Sequence, residues 1–279
     1  MADAVIAISS HVARGSVGNR AMVFALERLG FEVWAVPTVL LPYHPGHGPG
    51  QRIVPSDEAF ARLLEDLIRD DRSKNVSGIV SGYLGSPAQA FAVAELVQIV
   101  KAARPDAIYL CDPAIGDGGN LYVDQGIAEA IRDRLLPLAD AATPNAFESA
   151  WLSGALSDQQ SDFGALARNL PPPVVLVTSA PAMMRGHVGN LLVSDGETLL
   201  FEHPEIPAAA KGTGDLLAAL FLARRLQGRT WAEAAQRGLA SVCEIAARSA
   251  KAGADELMLP ALQDSLVAPR ATINVRRLR

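Results

Sequence analysis

Six short apolar runs are spaced along the chain, each continuous rather than alternating, with helix-like segments between them. They cover residues 4–8, 32–37, 78–81, 107–111, 139–142 and 174–178. A strand that is apolar at nearly every position must be covered on both faces, which is the condition of a parallel sheet between two helical layers. The segments between them carry helix signals. Residues 18–29 end at Gly30, a C′ glycine. Ser86-Pro87 places an N-cap before a proline at the first helical position and opens a helix to about Lys101. Asn145 opens a short helix that stops at Gly154, and Thr230-Trp231-Ala232-Glu233 is a capping box before a long amphipathic stretch. The alternation predicts an α/β fold with a doubly wound, mainly parallel central sheet and helices on both faces. Residues 191–194 and 198–201 flank Asp195-Gly196, so an antiparallel hairpin is expected to extend that sheet. Pro171-Pro172-Pro173 directly precedes a strand and reads as a stiff loop, so residues 1–279 are expected to form a single domain.

Composition excludes several function classes. The longest clear apolar run, residues 216–223, is far short of the roughly 20 residues of a membrane span. With no signal-peptide pattern either, a soluble cytoplasmic protein is expected. Two cysteines, Cys111 and Cys243, make neither a disulfide framework nor a metal cluster, and both read as small buried hydrophobes. The net charge of −5 argues against a nucleic-acid surface, and the basic tail of Arg276, Arg277 and Arg279 reads as a solvated end.

Chemistry concentrates at Lys211-Gly212-Thr213-Gly214-Asp215, a glycine-rich turn that runs into an apolar helix ending near Gly228. The first amides of such a helix lack intrahelical partners and lie at its positive end, so Gly212, Thr213 and Gly214 can hold an anion such as phosphate. Asp215 then faces whatever the amides hold. On these residues alone, Asp215 could equally be a helix cap after a flexible turn. Open α/β sheets bind ligands at the carboxyl ends of their strands. Ser9, Ser10, Tyr83, Asp112, Thr143, Thr178 and Ser179 all fall at such ends. Together they would line one rim with the hydroxyls and carboxylates that a nucleotide and a small polar ring need.

Six motifs run in order along nearly the whole chain. They are Ser10-His11-Val12 with Gly15, Val17, Gly18 and Asn19; Ser81-Gly82-Tyr83-Leu84-Gly85-Ser86; Cys111-Asp112-Pro113 with Gly116-Asp117; Thr143-Pro144-Asn145 with Phe147-Glu148; Thr178-Ser179; and Gly212-Thr213-Gly214-Asp215. In this the chain resembles the pyridoxal kinases of the ribokinase-like superfamily. The resemblance implies a ribokinase-like kinase domain that moves the γ-phosphate of ATP onto the 5′-hydroxymethyl group of pyridoxal. It implies that Ser10, Val17, His44 and Tyr83 bind the ring substrate, and that Asp112, Thr143, Thr178, Ser179 and Thr213 serve ATP. It further implies that Asp112, Asp117 and Glu148 order Mg²⁺, partly through water, with a monovalent cation such as K⁺ nearby. Asp215 would be the catalytic base, and the protein would be a homodimer. One departure stands out: after the second strand the chain reads Pro42-Tyr43-His44-Pro45-Gly46, where many relatives have a hydroxyl residue in place of Pro45. Proline cannot supply that hydrogen bond and fixes the backbone, so the preferred vitamer is left open. The competing readings are a hydroxymethylpyrimidine kinase and a catalytically silent binder of pyridoxal or nucleotide.

Overall fold

The computed structural model describes residues 4–69, 71–155, 162–207 and 210–278; Arg279 of the basic tail lies outside them. The strands are β1 (Ala4–Val12), β2 (Glu32–Leu41), β3 (Val76–Ser81), β4 (Ile108–Cys111), β5 (Gly116–Asp117), β6 (Asn120–Leu121), β7 (Ala141–Ala142), β8 (Val174–Ala180), β9 (His187–Ser194), β10 (Glu197–Pro204) and β11 (Asn274–Leu278). The helices are α1 (Asn19–Arg28), α2 (Asp57–Leu67), α3 (Pro87–Ala103), α4 (Gln125–Ala130), α5 (Ala146–Leu152), α6 (Phe163–Arg168), α7 (Thr213–Leu226), α8 (Trp231–Lys251) and α9 (Asp264–Val267).

Nine strands form one sheet in the order β11-β10-β9-β8-β7-β4-β3-β1-β2, and β5 pairs with β6 in a separate two-stranded flap. The six strands from β8 to β2 are parallel, while β9, β10 and β11 add on antiparallel. Both faces are covered, as the continuous apolar runs require. On β1, Ile6 and Ile8 join a core with Phe60 of α2 and Val93 and Val97 of α3. Val5 and Ala7 point the other way, against Met22 of α1 and Leu216, Leu220 and Phe221 of α7. The hairpin turn has positive φ at both Asp195 and Gly196, which suits the twist of the paired strands.

Two expectations are corrected. Ser9 and Ser10 do not follow the first strand but lie within it, because β1 continues through a register shift to pair with Leu40 and Leu41. Arg276 and Arg277 are exposed but not in a free tail: β11 pairs with β10, and Arg277 meets Glu197 at 2.8 Å. A charged edge strand of this kind gives up part of its solvation for ladder hydrogen bonds, and its partner lies too far off in sequence to be read locally.

Candidate active site

The glycine-rich turn is built against the start of the chain. Gly212 is the N-cap of α7 with φ +95°, and a Cβ there would stand 2.2 Å from the Ser16 carbonyl oxygen and 3.0 Å from Val17 Cγ1. Only glycine allows both that backbone and that approach. Thr213 and Gly214 are the first two helical residues, and a Cβ on Gly214 would meet only open space. The first turn of α7 therefore presents its unpaired amides to an open cradle, which suits an anion. Asp215 is not the cap: it sits three residues past Gly212, in the first helical turn. Burial pushes its carboxyl up from 3.8 to about 6, against the opposing pull of the Gly18 amide and its own amide.

The N-terminal motif reaches the same point. A Cβ on Gly18 would stand 2.2 Å from the Ser10 carbonyl oxygen, and His11 bridges to Gly18. This closes residues 10–18 into a tight loop with Ser10 and Val17 both buried. Asn19 anchors the loop by donating to the carbonyls of Ser9 and Val36. Ser10 and Val17 are thereby brought to Asp215, which lies some 200 residues further along the sequence.

A second set gathers at the ends of β4 and β7. Asp112 is buried and accepts the Thr143 hydroxyl at 2.9 Å. Its carboxyl is held well above the usual range by burial first, then by the charges of Glu148 and Asp215, with the Thr143 bond opposing. Glu148 completes a capping box with Asn145 and also takes the amides of Ile115 and Gly116 at 2.8 and 3.3 Å. Burial nevertheless raises it to about 7. Both of its oxygens accept backbone amides, Oε1 from Ile115 and Gly116 and Oε2 from Asn145. Asp117 ends β5 of the flap, exposed, and its side chain accepts the Gly118 amide at 2.7 Å.

Among the described residues, no three His, Cys, Asp or Glu side chains could hold a metal ion by themselves. A carboxyl raised by neighbouring carboxylates, as that of Asp112 is by Glu148 and Asp215, is nonetheless suited to a cation carried in by a phosphate ligand. Thr178 and Ser179 lie on a bulge of β8 opposite Asn190, with Ser179 at φ +54°. The bulge turns an exposed hydroxyl out of the sheet, and the Thr178 amide ties it to Pro144 at 2.8 Å.

Tyr83 is half-buried and stacks on Tyr122, ring centroids 6.3 Å apart at 23°. Tyr122 was not legible from sequence as a site residue. It belongs to the flap and lies within electrostatic reach of Glu148, Asp112, Asp215 and Asp117. His44 sits on the loop after β2, with its Nδ1 accepting the Gly46 amide at 3.0 Å. Its pKa is lowered, by burial first and then by Lys211 and His47. Glu256 links the two segments: its backbone bridges to Lys211 and its carboxylate meets His47 of the same loop at 2.9 Å. Pro45 is exposed on that loop.

Known proteins resemble this chain in sequence and in fold. The chain is 35% identical over 275 residues to pyridoxal kinase PdxY of Granulibacter bethesdensis, covering 95% of this chain and 96% of the relative. The chain belongs to the pyridoxal kinase family. It is also 38% identical to a pyridoxine/pyridoxal/pyridoxamine kinase of Bordetella bronchiseptica, over 91% of this chain and 92% of that one. The model of the phosphomethylpyrimidine kinase family matches residues 55–259. The pyridoxal kinase of Leishmania donovani, solved with ADP and pyridoxamine, superposes with a TM-score of 0.91 at 29% identity, covering 99% of this chain and 100% of that one. The expected ribokinase-like fold and kinase activity are borne out by these matches. Among the described residues, no helix is long and apolar enough to cross a membrane.

Proposed function

We propose that the chain works as one kinase unit in the cytoplasm and phosphorylates the 5′-hydroxymethyl group of pyridoxal with ATP. The observation that carries this reading is the packing of the Gly212 turn directly on Ser16 and Val17, with Asp215 beside the Gly18 amide. The anion cradle, a carboxylate base and the ring-pocket loop then share one space. Ser10, Val17, His44 and Tyr83 hold the ring, and Thr143, Thr178, Ser179 and Thr213 take the ATP phosphates with Asp112 beside them. The amides of Gly212, Thr213 and Gly214 face the charge that develops on the transferring phosphoryl group. Asp215 orients the substrate hydroxyl and accepts its proton as the new P–O bond forms, because a carboxylate is too weak a base to ionise an alcohol beforehand. Asp112, with Glu148 and Asp117 through water, would hold Mg²⁺, which offsets phosphate charge when bound. A monovalent cation such as K⁺ is assigned to the same region.

A substrate screen tests the assignment. ATP consumption is measured with pyridoxal, pyridoxamine, pyridoxine, hydroxymethylpyrimidine and ribose, with Mg²⁺ and K⁺ each omitted in turn. Turnover of at least one B6 vitamer is expected, and loss of turnover without Mg²⁺. Phosphorylation of hydroxymethylpyrimidine or ribose alone would assign another substrate, and no ATP use at all would favour a silent binder. The same screen on Pro45→Thr restores the hydroxyl common in relatives. The ratio of pyridoxal to pyridoxamine turnover should change while the KM for ATP does not; an unaltered ratio would show that this loop does not read the 4-substituent.

We also propose that the enzyme is a homodimer. β2 is the last strand at its end of the sheet, and Leu40 on it and Ile53, which bridges to Leu40, are exposed large hydrophobics. Sedimentation at micromolar concentration should give a mass twice that of the 29.4 kDa chain, and a monomer there would end the proposal.

A further inference from the structure

One residue outside the motifs ties together three segments that flank the proposed ring site. Glu256 lies in the stretch after α8, with its side chain only 15% exposed. Its Oε2 accepts the Ser16 amide at 3.1 Å, and its Oε1 accepts His47 Nε2 at 2.9 Å. Its backbone bridges to Lys211, the residue before the anion turn. The carboxylate occupies space that only a glycine leaves: a Cβ on Gly15, whose φ is +116°, would stand 2.5 Å from Glu256 Oε1. The adjoining residues reinforce the contact, since Ser16 Oγ donates to the Leu257 carbonyl at 2.8 Å and Arg14 pairs with Asp255 at 2.6 Å. Ser16 immediately precedes Val17, and His47 closes the short helical turn that begins after His44.

We propose that Glu256 is a positioning residue for the ring substrate. Through its carboxylate it fixes the loop carrying Val17 and the loop carrying His44 relative to one another, and its backbone bridge to Lys211 sets both beside the start of the anion turn. The proposal rests on the assignment of Val17 and His44 to the ring pocket. The effect of Glu256 is to hold the pocket walls at the spacing the ring requires, so that binding does not first have to order two loops.

The test uses the full-length Glu256→Gln and His47→Gln variants and their combination. Hydrogen exchange is followed at the Ser16 amide and over residues 43–48, and steady-state kinetics are measured with pyridoxal and ATP varied separately. Faster exchange at both loops is expected, with the KM for pyridoxal raised about tenfold, the scale of one lost hydrogen bond to a charged acceptor. The KM for ATP and kcat should stay within about twofold, a split that general loosening of the fold would not produce. The double variant should be little worse than Glu256→Gln alone, since both changes cut the same tie. Unchanged exchange in both single variants would overturn the tie while leaving the assigned reaction intact. Faster exchange with an unchanged KM for pyridoxal would instead remove these loops from the ring pocket, and the proposal with them. His47→Gln alters only a surface loop, so it keeps the test readable even where Glu256→Gln folds poorly.

Discussion

Asp215→Asn is expected to lower kcat by about 10²–10⁴, the usual contribution of a positioned acid or base. Asparagine keeps the size of the side chain but cannot accept the hydroxyl proton. ATP should bind as well as before or better, because the variant removes a negative charge facing the phosphates. Folding should hold or improve. In the native protein the carboxyl is raised from 3.8 to about 6 by burial, so its ionised form is disfavoured at neutral pH relative to the unfolded chain. The sign of the linkage follows. Between pH 3.8 and about 6 the native state holds this proton more tightly than the unfolded state, so the group's contribution to stability falls as pH rises through that window. For catalysis the order is reversed: the base must be ionised, and kcat/KM should fall as pH drops through about 6. Steady-state kinetics, a nucleotide titration and a thermal melt on the same variant check all three. A variant that folds normally and keeps more than about half of its kcat would remove Asp215 as the base.

Gly212→Ala should be nearly as damaging to turnover, for a steric reason. The residue sits at φ +95°, and its new Cβ would press 2.2 Å from the backbone oxygen of Ser16, which is not the end of a flexible side chain and cannot swing away. The turn must move, carrying Thr213, Gly214 and Asp215 with it. A displacement of about 1 Å at a reacting centre can cost on the order of 10² in rate, and that is the loss of kcat expected. The melting temperature should fall as well, since strain at such a φ costs on the order of 1–3 kcal/mol. Gly214→Ala separates the two effects. Its Cβ meets open space within the protein, and alanine is the better helix former, so stability should be kept or raised. The methyl group would intrude on the anion cradle, and the KM for ATP should rise. If Gly212→Ala retains wild-type kcat, the turn does not position the reacting groups.

Much of the architecture was written in local pattern. The continuous apolar runs fixed a sheet buried on both faces because residues such as Ile6 and Val5 must both find apolar partners, and in the fold they find them in opposite layers. Asp195-Gly196 specified its turn because few other pairs adopt positive φ twice in succession. The six motifs, read in order, indicated the family and hence the kinase chemistry. Local signals also named Thr230 and Glu233 as a cap and the Gly212 turn as the start of an apolar helix.

What sequence could not supply was anything set by long-range approach. The sequence determined which residue types are offered to the proposed chemistry: a carboxylate after a glycine turn, hydroxyls near strand ends, an aromatic after the third strand. Tertiary structure decided that Gly212 abuts Ser16, that Glu148 spends its oxygens on the Ile115, Gly116 and Asn145 amides, and that Tyr122 stacks on Tyr83. It also decided that Glu256 joins loops more than 200 residues away in sequence. The physical reason is the range of the interactions. Helix capping, turn geometry and apolar periodicity are settled within a few residues, so they leave a local record in the sequence. A carboxylate's pKa and a hydrogen bond between loops depend on which surfaces the packed core brings within a few ångströms, and that exists only once the chain has folded.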